Sequence, residues 1–358
     1  MNDSPGPARP LLLVRVVRAA VRLTLVVGIL LAGILLMQTW HLLFHEPPTH
    51  ERLRSPMRRQ FTPRAVALLG GWISDEVDRL IAALRAGPER VDVVETFSHP
   101  LPAAVVGRLF GVPGELGGWL ADWSDRFGVL VFGATRRSDY EQVVRAAAAE
   151  FVDVVGGIID ARRSAPGEDL LSKLLVVENE PDGLSTTEIL GACSLLLFAG
   201  HDTTSSLLGS SVAALNSAPE LRERLAGDPE IADAAVEELL RFEPPPKHML
   251  RMVVEDHQRG EHDLRAGDSV LMGILAANRD PRVFDEPDRL RFDRTANPHL
   301  TFGFGHHFCL GASLARLEAR IALPALFRAF PDLRVDGAVR WKPTVSDRSP
   351  SMVPIRLR

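Results

Sequence analysis

From Ile189 to Ala199 the chain reads ILGACSLLLFA, apolar on every face of a helix rather than along one stripe. Such a helix cannot lie on a surface; it has to run through the middle of a domain with other elements packed around it. Its start is marked by Ser185-Thr186-Thr187-Glu188, a capping box in which the serine hydroxyl and the glutamate three residues later satisfy backbone N–H groups of the first turn. The pattern continues to Leu215 but takes in Gly200, which costs about 1 kcal/mol relative to alanine. Asp202, Thr203 and Thr204 follow. An acid and two hydroxyls inside a buried helix each need a partner. They form either a satisfied polar kink or a site.

A second stretch, TFGFGHHFCLGASLAR from Thr301 to Arg316, reads as a glycine-rich turn running into a helix. Gly303 and Gly305 suit a tight turn, and apolar residues recur at helical spacing from Ala312 to Leu323. Cys309 therefore sits at the mouth of a helix. Free N–H groups and the positive dipole end there are expected to favour a thiolate over a thiol. A thiolate held by backbone donors is a soft ligand suited to iron. Two other readings stand beside this one. A lone cysteine is commonly a small buried hydrophobe. A zinc site from His306, His307 and Cys309 would want a fourth ligand and paired spacings.

The 358 residues carry a net charge of −5, so nothing points to nucleic acid. Two cysteines, Cys193 and Cys309, exclude a disulfide framework. Residues 1–22 are polar and basic and expected to be disordered in part. Residues 23–44 hold no Asp, Glu, Lys or Arg, a length that spans a bilayer. Arg15, Arg18 and Arg22 precede this segment, but Arg52, Arg54, Arg58 and Arg59 follow it, so orientation by positive flanks is ambiguous. It is either a membrane anchor, a helix buried against the domain or the product of a misassigned start, and the expected location is cytoplasmic, with membrane association only if the segment is an anchor. Residues 45–358 read as one domain. Helices are expected at Val66–Ala86, from His99 to Pro113, at Tyr140–Arg163 and from Asp228 to Arg241, with short strands between Val253 and Ile274.

Four motifs, in order, resemble those of bacterial cytochrome P450s. Phe302-Gly303-x-Gly305-x-His307-x-Cys309-Leu310-Gly311-x-x-Leu314-Ala315-Arg316 is similar to the family's haem-binding loop. Ala199-Gly200-His201-Asp202-Thr203-Thr204 resembles its oxygen-activating helix, and Glu238-x-x-Arg241 its K helix. Glu46-Pro-Pro-Thr-His50-Glu-Arg-Leu-Arg54 looks like the start of its C helix. At most 45 residues precede this last motif, fewer than the family usually has there.

The resemblance implies a mainly α fold with small β-sheets, the cytochrome P450 fold with a shortened N-terminus. It implies haem b held by Cys309 as axial iron ligand, in a loop that includes Phe302, Gly303, His307 and Gly311. Ala199 and Gly200 would lie over the haem, and His50, Arg54 and Arg251 would meet its propionates. Thr203 would hydrogen-bond dioxygen in a loosened helical turn, with Asp202 relaying protons to it. Glu238 and Arg241 would pair in the interior with Arg289 and brace the cysteine loop. The implied activity is monooxygenation of an organic small-molecule substrate by O2. No flavin or iron–sulfur motif is present, so electrons would come from a ferredoxin and ferredoxin reductase. The alternative is a non-catalytic haem-bearing or scaffold partner of another biosynthetic enzyme.

Overall fold

The computed structural model describes residue 42 and residues 45–131, 139–344 and 346–358. Segments 1–22 and 23–44, Leu42 apart, lie outside the described residues. Among the described residues no helix is long and apolar enough to cross a membrane.

Pro47 and Pro48 precede the first helix, α1 (Thr49–Arg58), which buries His50, Leu53 and Met57 along one stripe. The single helix expected from Val66 to Ala86 is two, α2 (Pro63–Ala67) and α3 (Gly70–Ala86). Between them the Leu69 N–H bonds back only three residues, to Val66. Gly70 and Gly71 then give the chain little preference for continuing one straight helix. Next come α4 (Pro100–Phe110), closed by Gly111 at φ 69°, α5 (Gly117–Val131), α6 (Tyr140–Ser164) and α7 (Leu170–Val176).

The apolar run forms α8 (Thr186–Asn216), 31 residues long. Its capping box forms as the sequence predicts: the Ser185 hydroxyl accepts from the Glu188 N–H and the Glu188 carboxylate accepts from the Ser185 N–H. Arg52 of α1 also binds Glu188. Burial alone would raise the Glu188 pKa, but Arg52 and the Ser185 donors outweigh it and bring it to about 2. Helices α9 (Pro219–Gly227), α10 (Ala232–Phe242), α11 (Ile274–Ala277) and α12 (Ala312–Ala329) complete the helical part. α8 packs against α4, α5 and α12, so it is the axis of the hydrophobic core.

The strands are short: β1 (Arg90–Asp92), β2 (Met249–Met252), β3 (His257–Arg259), β4 (His262–Leu264), β5 (Ser269–Met272), β6 (Arg334–Val335), β7 (Arg340–Trp341), β8 (Pro350–Met352) and β9 (Pro354–Arg356). They make an antiparallel sheet in the order β1-β9-β6 and the pairs β2-β5, β3-β4 and β7-β8. A turn at Ala266-Gly267-Asp268 leads into β5, with Gly267 at φ 93°. The fold is mainly α with small sheets.

Candidate active site

The stretch before α12 forms a turn that glycine makes accessible, with Gly303 at φ 73° and Gly305 at φ 77°. The Cys309 N–H donates to the Phe302 carbonyl at 2.8 Å, closing the loop on itself. Several contacts then fix the loop to its surroundings. The Thr301 hydroxyl donates to the Leu240 carbonyl at 2.7 Å. Asn278 donates to that same hydroxyl at 3.0 Å and accepts the Leu300 N–H at 2.8 Å. Arg316 stacks over the Phe302 ring at 4.4 Å and makes a two-pronged bond to Glu237. Burial pushes the Glu237 carboxylate up, but Arg316 and His299 together hold it at about 2.

A cavity of about 370 Å³ lies between this loop and α8, with Cys309 on one wall and Gly200, Asp202 and Thr203 on the other. Phe302, His307, Gly311 and Ala199 also line it; Leu195, Phe198 and Leu207 make much of the rest apolar. The Cys309 exposure is to this cavity, so the surrounding protein still desolvates the thiol. That desolvation raises its pKa, against N–H bonds from Gly311 and Ala312 and the charges of Arg54 and Arg316. The helix-mouth donors thus act in the expected direction, but without a metal they do not prevail.

On α8, the helix is continuous through Ala199–Thr204. The loosened turn implied by the resemblance is not a break in the helix. Instead the Thr203 hydroxyl donates to the Ala199 carbonyl at 2.7 Å. Gly200 has a packing reason: a Cβ there would lie 2.7 Å from Val106 of α4. Asp202 is 3% exposed. Its Oδ1 accepts from Lys342 Nζ at 2.7 Å, and the same ammonium donates to Asp125 at 2.9 Å. Burial disfavours that ammonium, but the two carboxylates outweigh it and raise the Lys342 pKa. His99, Asp125 and Asp202 place ligand-type atoms within 4.8 Å of one another, yet the lysine already bridges the two acids. His201 is buried against His99, and desolvation takes its pKa down to about 3, so it is neutral.

His50 is buried, and neither of its ring nitrogens has a partner among the described residues. Burial, then His307 and Arg54, hold its pKa below the ordinary histidine value. Arg54 lines the main cavity and also a smaller cleft of about 250 Å³ that His50 shares. A thiol, apolar walls, and an unpaired imidazole beside a guanidinium at one edge are the donor set that a flat, apolar ring with an iron and peripheral carboxylates needs. The residues present therefore fit a haem. Arg251 contributes less than the resemblance implies: it lies exposed on β2, with its guanidinium turned back to the Leu250 carbonyl.

Glu238 and Arg241 pair in the interior of α10 at 2.7 and 2.8 Å. The expected third member, Arg289, is corrected by the structure. Its side chain is exposed and paired with Glu286, and only its carbonyl meets Arg241. Arg294 takes the place, its Nε 3.0 Å from both Glu238 oxygens. The motifs did not point to Lys342, Asp125 or Arg294, nor to Glu318. Glu318 is wholly buried on α12 at the cavity wall, where desolvation raises its pKa well above the ordinary glutamate value.

Residues 130–342 match the family model for cytochrome P450. The chain is 39% identical to the cytochrome P450 monooxygenase PikC of Streptomyces venezuelae, covering 89% of this chain and 76% of PikC. It is 36% identical to the polyketide biosynthesis cytochrome P450 PksS of Bacillus subtilis, over 88% of this chain and 78% of PksS. Among solved structures, P450BioI in complex with an acyl carrier protein superposes with a TM-score of 0.84 at 33% identity, over 90% of this chain and 84% of that one. A haem cofactor and monooxygenase activity are properties of that family. The chain belongs to the bacterial cytochrome P450 family and is a haem-thiolate monooxygenase.

Proposed function

We propose that this enzyme hydroxylates or epoxidises an organic small molecule, using haem b, O2 and electrons from a ferredoxin and its reductase. The supporting observation is the apolar cavity with Cys309 on one wall and the Asp202–Thr203 pair on the other. Haem, when bound, supplies the iron that binds and activates dioxygen. Cys309 would hold that iron as a thiolate, since a metal ion lowers the pKa of the thiol it binds. His50 and Arg54 would meet the carboxylates at the ring's edge. The apolar walls would exclude water and take the substrate's hydrocarbon surface.

Proton supply falls to α8. Asp125 is half-exposed and Asp202 buried, with Lys342 between them. That line runs from solvent to the cavity wall. Thr203 is one residue beyond Asp202, and its hydroxyl can leave the Ala199 carbonyl to donate into the cavity. The relative PksS, named for polyketide biosynthesis, supports a substrate from a biosynthetic pathway of that kind.

The test is the absorption spectrum of the purified protein, reduced and exposed to carbon monoxide. A red-shifted Soret band of thiolate-ligated haem is expected; a band of histidine or neutral-thiol ligation would end the reading. The ferredoxin proposal has its own check. Arg54 and Arg316 are engaged with the Phe308 carbonyl and Glu237, whereas Arg58 and Arg59 are exposed. Reversing the charge of Arg58 and Arg59 should slow reduction by ferredoxin roughly tenfold at low salt without changing haem content. Unchanged stopped-flow kinetics would remove this surface from consideration.

A further inference from the structure

The turn at residues 346–349 carries a buried carboxylate for which the monooxygenase reading has no use. Asp347 is 2% exposed and lines the active-site cavity beside Pro245, Pro246 and Met249. Its position is fixed on both sides. The Lys247 N–H donates to the Ser346 carbonyl at 2.9 Å and the Arg348 N–H to the Pro245 carbonyl at 2.7 Å. Its Oδ2 accepts from the Ser349 hydroxyl, while its Oδ1 has no partner among the described residues.

Neighbouring cations are committed elsewhere. Lys247 spends its ammonium on the Thr344 carbonyl at 2.9 Å. Arg348 pairs with Glu243 and stacks on Trp341 at 4.0 Å. Arg54, also on the cavity wall, donates to the Phe308 carbonyl, and Lys342 is held by Asp125 and Asp202. A buried carboxylate with a spare oxygen is costly unless something pairs with it. In a cavity that admits ligands, the remedy is a guest that brings the positive charge.

We propose that Asp347 is a specificity-determining residue that selects substrates carrying a protonated amine on an apolar body. The inference rests on the cavity being the substrate pocket of the proposed monooxygenase. The amine pairs with Asp347 Oδ1, and the apolar body lies against the leucine and phenylalanine walls. The Ser349 hydroxyl keeps the carboxylate oriented. Neutral ligands of the same shape leave the oxygen unpaired, and anionic ones are repelled. Discrimination against them comes from that unmet group rather than from fit.

The test uses the haem-loaded full chain and three probes of equal chain length: decyltrimethylammonium, which cannot ligate iron, decan-1-ol and decanoate. Affinities are measured by calorimetry below the micelle concentration. In the wild type the cation should bind about tenfold tighter than the alcohol, with decanoate weakest, a difference of about 1.4 kcal/mol. Asp347→Asn should erase the cation's advantage and leave alcohol binding near its starting value. Asp347→Leu should do the same and tighten the alcohol, and it carries the test should the asparagine variant not fold.

A purely structural role would shift the melting temperature but leave the order of the probes intact. That order unchanged in a variant with a normal carbon monoxide spectrum overturns the assignment and leaves the monooxygenase reading standing. A wild type without the thiolate band overturns the functional reading and this proposal together.

Discussion

Replacing Glu238 with alanine should lower stability by about 3–5 kcal/mol, the cost of stranding a buried charge after its partner is removed. The carboxylate is fully buried and serves more than one cation. It binds Arg241 through two bonds, Arg294 through a shared one, the Arg291 N–H at 2.9 Å and the Asn297 amide at 3.2 Å. Arg241 is itself 0% exposed and has no route to water once the acid is gone. Its remaining bonds, to the carbonyls of Asn278, Pro287 and Arg289, do not neutralise it.

The damage should also spread toward the haem. Residues 285–297 form the approach to the cysteine loop, and Arg294 holds them through the carbonyls of Asp285, Glu286 and Arg289. Reduced haem occupancy should therefore accompany the loss of stability. Arg289→Ala supplies the contrast, because its exposed pair with Glu286 is worth little and the midpoint should barely move. Chemical denaturation of the two variants at neutral pH separates them. If Arg289→Ala proved as costly as Glu238→Ala, the ion network would be organised differently from the description above.

The contrast between Arg289 and Arg294 also shows where the sequence could be read and where it could not. The central helix, its capping box and the glycine turn before Cys309 follow from local rules: an all-apolar run, a four-residue cap, and backbone at positive φ. The family motifs carried Cys309, Asp202, Thr203 and Arg54, which line one cavity, and His50, which lies in the smaller cleft that Arg54 shares. Arg289, Arg291 and Arg294 lie within a six-residue stretch, each within two residues of an acid. Nothing in composition says which of them is buried; only packing against α10 decides. Lys342 is more than a hundred residues from Asp202 and meets it only because the residue that follows β7 lies beside α8. Asp347 was likewise invisible, since an acid in a short polar turn normally reads as a solvated surface residue. The break between α2 and α3 failed for the opposite reason: the apolar pattern is right, but two glycines weaken it locally.

Asp202→Asn should reduce coupled turnover by about 10²–10⁴-fold, the range that general acid–base groups contribute. The substitution keeps the size of the side chain and its place on α8, so haem content and the carbon monoxide spectrum should stay as in the wild type. What it removes is the acid at the inner end of the line from Asp125 through Lys342. Lys342→Met tests the same line from its middle. With the ammonium gone, two carboxylates would face each other with no cation between them. Turnover should fall, and a solvent deuterium isotope effect should grow as proton supply becomes rate-limiting. Asp125→Asn should cost less than either, because Asp125 is half-exposed and water can replace it at the outer end. The order of the three variants is therefore the informative quantity. If Asp202→Asn turned over like the wild type while Thr203→Ala did not, protons would reach the cavity by a route that bypasses α8's acid. Glu318, buried at the cavity wall with its pKa raised by desolvation, would then be the next group to replace.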